Sequence, residues 1–154
     1  MEIRRATATD AGGILDCLRI AFEPYRQSYT PAGFADTVPD ANGIAERLRS
    51  MSLFVAVENS IVIGTIGAAI VDGHLRGMAV RPEWQGSGVA RRLIDAAEAE
   101  LVARGCVRVT LDTTEPLKRA ARFYEKCGYR RTGRSIDFFG MPLTEFAKTL
   151  TNRT

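Results

Sequence analysis

The sequence predicts an α/β (α+β) fold built on a mixed, mostly antiparallel sheet of six to seven strands. Three observations lead there. Strand-like runs at Leu53–Glu58, Ile61–Val71 and His74–Val80 succeed one another across the turn dipeptides Asn59-Ser60 and Asp72-Gly73, as in an antiparallel meander. A helical period then takes over at Val89, Leu93, Ala97 and Leu101, and Gly105 stands just past its end. The next run alternates Val107, Val109 and Leu111 with polar residues, and a strand reached through a helix runs parallel to the strand before it.

The remaining elements follow from the same rules. Ile3–Arg5 starts a first strand, and Asp10 is expected to cap a helix that turns Ile14, Leu15, Leu18, Ile20 and Ala21 toward the core before ending near Glu23-Pro24. Between Pro24 and Pro39 aromatics and turn formers mix, which makes this the least regular stretch; Ile44–Arg49 is a short second helix. A later helix begins at about Pro116, with Leu117, Ala120, Ala121 and Tyr124 on one face and Arg119, Arg122 and Lys126 on the other. Gly128 ends it. Two short strands are expected at Tyr129–Thr132 and Ile136–Met141, with a frayed tail after Leu150.

Length and composition narrow the function. The 154 residues suit one domain spanning 1–154, with 45% hydrophobic and 25% charged residues as in ordinary globular proteins. The longest nearly apolar run, Ile61–Val71, falls far short of the roughly 20 residues that cross a bilayer, and no apolar segment follows the charged start. A cytoplasmic protein with no membrane partner is expected. Cys17, Cys106 and Cys127 form no Cys-x-x-Cys pair and His74 is the single histidine, so no metal site is expected. The net charge is +3, and 18 of the 21 basic residues are arginine. That composition suits a small phosphate-bearing ligand better than a nucleic-acid groove.

The segment most informative about chemistry is Met78–Leu93, where a strand passes through Gly86-Ser87-Gly88 directly into a helix. The first turn of a helix holds N–H groups without intrahelical partners at the positive end of its dipole. Gly86 and Gly88 admit a bulky anion to the backbone, and Arg91 and Arg92 add charge nearby. The third glycine of a dinucleotide fingerprint is missing, since Arg91 stands there, and no Gly-Lys-Ser/Thr of a Walker A loop follows.

Gln85-Gly86-Ser87-Gly88-Val89-Ala90 resembles the Q/R-x-x-G-x-G/A signature of the GNAT superfamily of acyl-coenzyme A dependent N-acyltransferases. Ala120-Ala121-Arg122-Phe123-Tyr124-Glu125-Lys126-Cys127-Gly128-Tyr129 is similar to that family's A-x-x-F-Y-E-K-x-G-F/Y element. The resemblance implies helices on both faces of a sheet splayed between strands 4 and 5, with acetyl-CoA as co-substrate in the opening. It implies that Met78 and Val80 pair with the pantetheine arm, that amides from Gln85, Gly86, Ser87, Gly88, Val89 and Ala90 wrap the pyrophosphate beside Arg91, and that Met78 or Ala79 donates to an oxyanion. Tyr124 would protonate the departing thiolate, although core packing is the alternative for a tyrosine on an apolar helix face.

The resemblance further implies N-acetyl transfer to a small-molecule or peptide amine. The sequence departs from the pattern in two places, lacking a carboxylate on the fourth strand and placing Leu117 where relatives often have asparagine. Asp112, His74 and Glu23 stay open as general bases. Tyr25, Tyr29, Phe34, Phe138 and Phe139 are expected either in an acceptor pocket or in core or dimer contacts. A non-catalytic acyl-CoA binding or sensing module is the alternative function.

Overall fold

The computed structural model describes residues 1–114 and 117–150. Pro116, the expected helix start, and the tail beyond Leu150 lie outside the described residues. Seven strands form one sheet: β1 (Glu2–Arg5), β2 (Ser52–Glu58), β3 (Ile61–Ala69), β4 (His74–Val80), β5 (Arg108–Thr114), β6 (Arg130–Phe138) and β7 (Met141–Thr149), in spatial order β1-β2-β3-β4-β5-β7-β6. Every neighbouring pair is antiparallel except β4 with β5. The helices are α1 (Ala11–Phe22), α2 (Pro31–Thr37), α3 (Ala41–Ser50), α4 (Val89–Ala103) and α5 (Lys118–Lys126).

Strand alternation sends successive residues to opposite cores. Leu53 and Val55 pack with Ile14, Cys17 and Leu18 of α1 and Ile44 of α3, whereas Phe54 and Ala56 face the cluster of Leu93, Ile94, Ala97 and Leu101 from α4. Tyr124 and Cys127, at the end of α5, join the α4 side. Both faces are thus covered, as expected.

Several local expectations are corrected. Asp10 stands at the N-cap position of α1 but makes no side-chain cap bond; its carboxylate accepts from the Thr7 N–H at 2.8 Å and from both terminal nitrogens of Arg4 at 2.8 and 2.9 Å. Asn59-Ser60 is the two-residue hairpin turn, with φ of 50° and 65°, the pair of positive values a type I′ turn needs. Asp72-Gly73 is instead the second half of a four-residue connection between Ala69 and His74, closed by the Gly73 N–H on Ile70 O.

The Pro24–Pro39 stretch is more regular than expected. A 3-10 turn over Glu23–Ser28 leads to α2, where Thr30 Oγ1 accepts from Gly33 N–H at 3.1 Å and Pro31 occupies the first turn. The expected strand Ile136–Met141 straddles a turn at Phe139-Gly140; β6 runs unbroken to Phe138, and β7 inserts between β5 and β6.

The sheet splits where β4 leaves β5. Two residues of β4, Gly77 and Met78, face the single residue Ile66 of β3, a bulge that Gly77 accommodates at φ 67°. Bulges bend a strand, and β4 keeps one register pair with β5, His74 with Thr110, where Thr110 N–H donates to Gly73 O at 2.9 Å. Beyond that stitch the strands diverge around an opening.

Candidate active site

The opening holds two cavities that meet. One, of about 450 Å³, runs from Met78, Ala79 and Val80 past Gln85, Gly86, Gly88, Ala90 and Arg91 to α5. The other, of about 460 Å³, lies between β4, β5, α2, α3 and the β6–β7 hairpin. Phe22, Met78, Leu117, Ala120 and Tyr124 line both. A molecule occupying both would therefore pass the Tyr124 ring.

The first cavity is built to hold an anion. α4 begins at Gly88, whose φ of 92° is left-handed and whose position carries no side-chain cap. Among the described residues, the amides of Gly86, Gly88, Val89 and Ala90 have no backbone partner, while Gln85 N–H goes to Pro82 O and Ser87 N–H to Trp84 O. The expected cradle from Gln85 through Ala90 therefore narrows by two donors. A Cβ built on Gly86 or Gly88 would meet nothing within 4 Å, so the missing side chains leave open space in front of these amides. Across the cavity stand Arg119, Arg122 and Lys126, which with Arg91 make four cations and, among the described residues, no carboxylate in the lining. Sequence reading had placed the three α5 cations on a polar face without giving them a ligand.

The edge of β4 adds directional donors. Arg81 N–H bonds to Ile63 O at 2.8 Å, and ladder alternation therefore turns the Val80 N–H and C=O away from β3, toward the split. Gln85 Nε2 donates to Val80 O at 3.1 Å, leaving the Val80 N–H for a strand-like ligand.

Tyr124 is nearly buried, with its ring against Tyr129 and Phe146 at centroid distances of 6.1 and 6.5 Å. Burial pushes its phenol well above the usual tyrosine value, with Cys127 adding to the shift and no hydrogen bond contributing. Core packing and access to the cavities coexist at this residue.

The second cavity gathers polar groups on its floor. His74 Nδ1 lies 2.7 Å from Thr110 Oγ1, and its Nε2 lies 3.2 Å from Asp112 Oδ2. Both ring nitrogens are engaged. Asp112 Oδ1 is buried and has no hydrogen-bond partner among the described residues. The single register pair His74–Thr110 brings these two expected candidates together. Glu23 is elsewhere: it pairs with Arg26 at 2.9 Å on the exposed surface and lines neither cavity.

The aromatics divide. Tyr29 and Phe138 line the second cavity, Tyr29 through a 3.2 Å contact of its hydroxyl with Thr114 Oγ1, and burial raises its phenol as well. Phe139 joins them. Tyr25 lies on the anion cavity, not with the acceptor residues. Phe34 lines neither; it packs edge-on against Tyr29 in a small cluster with Met141 under α2, and Arg26 covers its ring at 4.2 Å. The sequence does not point to Asp36, Arg47 and Arg76 of the cavity walls, because their convergence depends on how α2 and α3 settle on β4.

No helix among the described residues is long and apolar enough to cross a membrane. Among those residues no three His, Cys, Asp or Glu side chains cluster as a metal site.

Comparison with known proteins bears on this geometry. The aminoglycoside N(6')-acetyltransferase type 1 of Stenotrophomonas maltophilia is 35% identical over 89 residues, covering 58% of this chain. The match spans 56% of that relative's length. Among solved structures, a GCN5-related N-acetyltransferase from Rhodopseudomonas palustris superposes with a TM-score of 0.81 at 24% identity, covering 97% of this chain and 95% of that one. The paia N-acetyltransferase of Thermoplasma acidophilum, solved with coenzyme A, gives 0.79 at 17% identity over 96% and 98% of the two chains. These likenesses are of fold. The model of the acetyltransferase (GNAT) family matches residues 14–129, from α1 through the glycine turn to the end of α5. Since that span contains the split, the anion cavity and Tyr124, the chain belongs to the acetyltransferase (GNAT) family.

Proposed function

We propose that the protein transfers the acetyl group of acetyl-coenzyme A to a primary amine by direct attack, with Tyr124 as the acid. The observation carrying this reading is the meeting of two unlike cavities at Met78, Leu117, Ala120 and Tyr124. The glycine-walled side, with its unpartnered amides and four cations, fits a diphosphate. When bound there, acetyl-coenzyme A supplies the activated thioester.

The chain's own residues supply the rest. The Val80 N–H, left free by Gln85, holds a pantetheine amide along the β4 edge, and the bulged backbone at Met78 offers a donor to a developing oxyanion, whereas ladder alternation turns the Ala79 N–H to β3. Asp112, in the lining of the second cavity beside His74, faces the incoming ammonium, and the Asp112–His74 pair takes its proton. Thr110 on Nδ1 and Asp112 on Nε2 fix the imidazole ring. Tyr124 keeps its proton through the neutral range because burial disfavours the phenolate, and delivers it to the departing sulfur. Holding two reactants in adjoining cavities contributes further through proximity.

The S. maltophilia relative supports an amine as acceptor. An acyl-CoA sensor would need the anion cavity alone; the His74–Asp112 pair in the lining of the other cavity favours an enzyme. The test is release of free thiol from acetyl-coenzyme A across a panel of amines, with mass spectrometry of the product. Turnover is expected, and Tyr124→Phe is expected to lower kcat by roughly 100-fold with little change in KM for acetyl-coenzyme A. Tight coenzyme binding without thiol release on any amine would return the sensor reading.

A further inference from the structure

The acceptor cavity contains a cation that its surroundings leave unbalanced. Its charged lining residues are Asp36, Arg47, Arg76 and Asp112, with His74 beside the last. Arg76 binds the Asp36 carboxylate at 3.1 Å, and Asp112 faces His74 at 3.2 Å. Arg47, on α3, is half-buried and donates through one terminal nitrogen to the main-chain carbonyl of Asp36. Among the described residues no carboxylate lies within 4.0 Å of it; burial and the neighbouring Arg76 disfavour its charge, and the Asp36 carboxylate, already bound by Arg76, offsets them only in part. A guanidinium keeps that charge at any physiological pH. Its other terminal nitrogen stands 3.3 Å from where a Cβ of Gly77 would be, and so lies over the bulge next to Met78, at the mouth of the acyl-transfer point.

A polycationic acceptor would meet this guanidinium with repulsion in a partly desolvated cavity. An acceptor carrying its own carboxylate would complete it, and Arg is the side chain whose planar fork matches a carboxylate in two parallel hydrogen bonds. Asp112, in the lining of the same cavity, supplies the carboxylate that an ammonium needs. Both poles of a zwitterion are therefore provided for.

We propose that the acceptor is an amine that also bears a carboxylate, such as an amino acid or a short peptide, and that Arg47 sets this specificity by binding the carboxylate. The inference rests on the acetyl-transfer reading and names its substrate class. It runs against the aminoglycoside acceptor named for the S. maltophilia relative.

Two measurements on the full chain test it. Thiol release is followed with matched acceptors, L-leucine and L-phenylalanine against isoamylamine and phenethylamine, plus one aminoglycoside; calorimetry with coenzyme A present follows binding of N-acetyl-L-leucine against N-acetylisoamylamine. The carboxylated member of each pair is expected to bind more tightly and show the lower KM. Arg47→Gln is expected to raise KM for the carboxylated acceptors by roughly 10- to 100-fold, the range for a charged hydrogen-bonded pair, with little change for the plain amines or in coenzyme binding. Arg47→Lys recovers part of the preference, because it restores charge without the fork.

Equal or better turnover of the plain amines or of the aminoglycoside would overturn the proposal while leaving acetyl transfer intact. Carboxylate-selective binding lost in Arg47→Gln, without turnover of any amine, would sustain the proposal and remove the catalytic reading. Absence of both selective binding and selective turnover overturns it, and a melt showing Arg47→Gln folded assigns the loss to the missing guanidinium.

Discussion

At Asp112 one carboxylate oxygen faces His74 and the other, buried, faces nothing. A buried unsatisfied polar group costs about 1–3 kcal/mol, which a folded chain retains where the atom has work to do. Asp112→Asn is therefore expected to lower kcat/KM by roughly 100-fold or more while Tm stays level or rises, read by steady-state kinetics beside a thermal melt. Tyr124 combines two roles that sequence could pose only as alternatives. It packs in the core and also lines both cavities, and the apolar spacing of α5 accounts for the first alone. What the sequence left illegible was the contact across the sheet, since His74 and Asp112 each stood open as a base without their pairing. His74 and Asp112 lie far apart in sequence and meet through a single strand register, whereas the Gly86-Ser87-Gly88 turn announces itself in three adjacent letters.

Among the elements, α4 carries the most testable geometry. Gly88 sits at φ 92° with open space before it, so Gly88→Ala is strained by backbone conformation without a clash, whereas Gly88→Asp also puts a carboxylate among the amides. Both variants are expected to lose about 1–2 kcal/mol of stability, and Gly88→Asp alone is expected to weaken coenzyme A binding by more than roughly 100-fold by calorimetry. The meander and α4 were readable because their periods are long and their turns chemically explicit. α2 escaped notice because it has seven residues and follows a run of aromatics, although Thr30-Pro31 is a start signal of the usual kind. β7 escaped because Glu145 and Phe146 are both buried, which breaks the alternation a half-buried strand shows. The Glu145 carboxylate accepts from Thr132 on β6 at 2.9 Å, a partner that becomes visible only once the strands are paired.

For the molecule as a whole, titration of buried groups sets the alkaline limit. Burial pushes the Cys17 thiol from 9.0 up to about 12, and raises Tyr124 and Tyr129 above the usual 10.0. In each case the fold prefers the protonated form, so this stability is full below the unfolded value and is lost as pH rises through the folded one. Stability is expected to begin falling near pH 9, with Cys17 accounting for on the order of 4 kcal/mol by pH 12. Cys17→Ala should make that fall shallower between pH 9 and 12, with Cys127, whose thiol burial also raises, keeping the onset near 9, as read from Tm measured across alkaline buffers. At the acid end the Arg4 guanidinium holds Asp10 below the usual carboxylate range, a contribution lost as pH falls through the lowered value. The single His74–Thr110 stitch has one more consequence. With β1–β4 and β5–β7–β6 joined through so little main chain, the two half-sheets are expected to flex about a narrow waist, and a guest that inserts like an eighth strand to act as mortar. Saturating coenzyme A at about 100 times its Kd would then raise the unfolding free energy by roughly 2.7 kcal/mol, and amide exchange along the Met78–Val80 edge would slow in step.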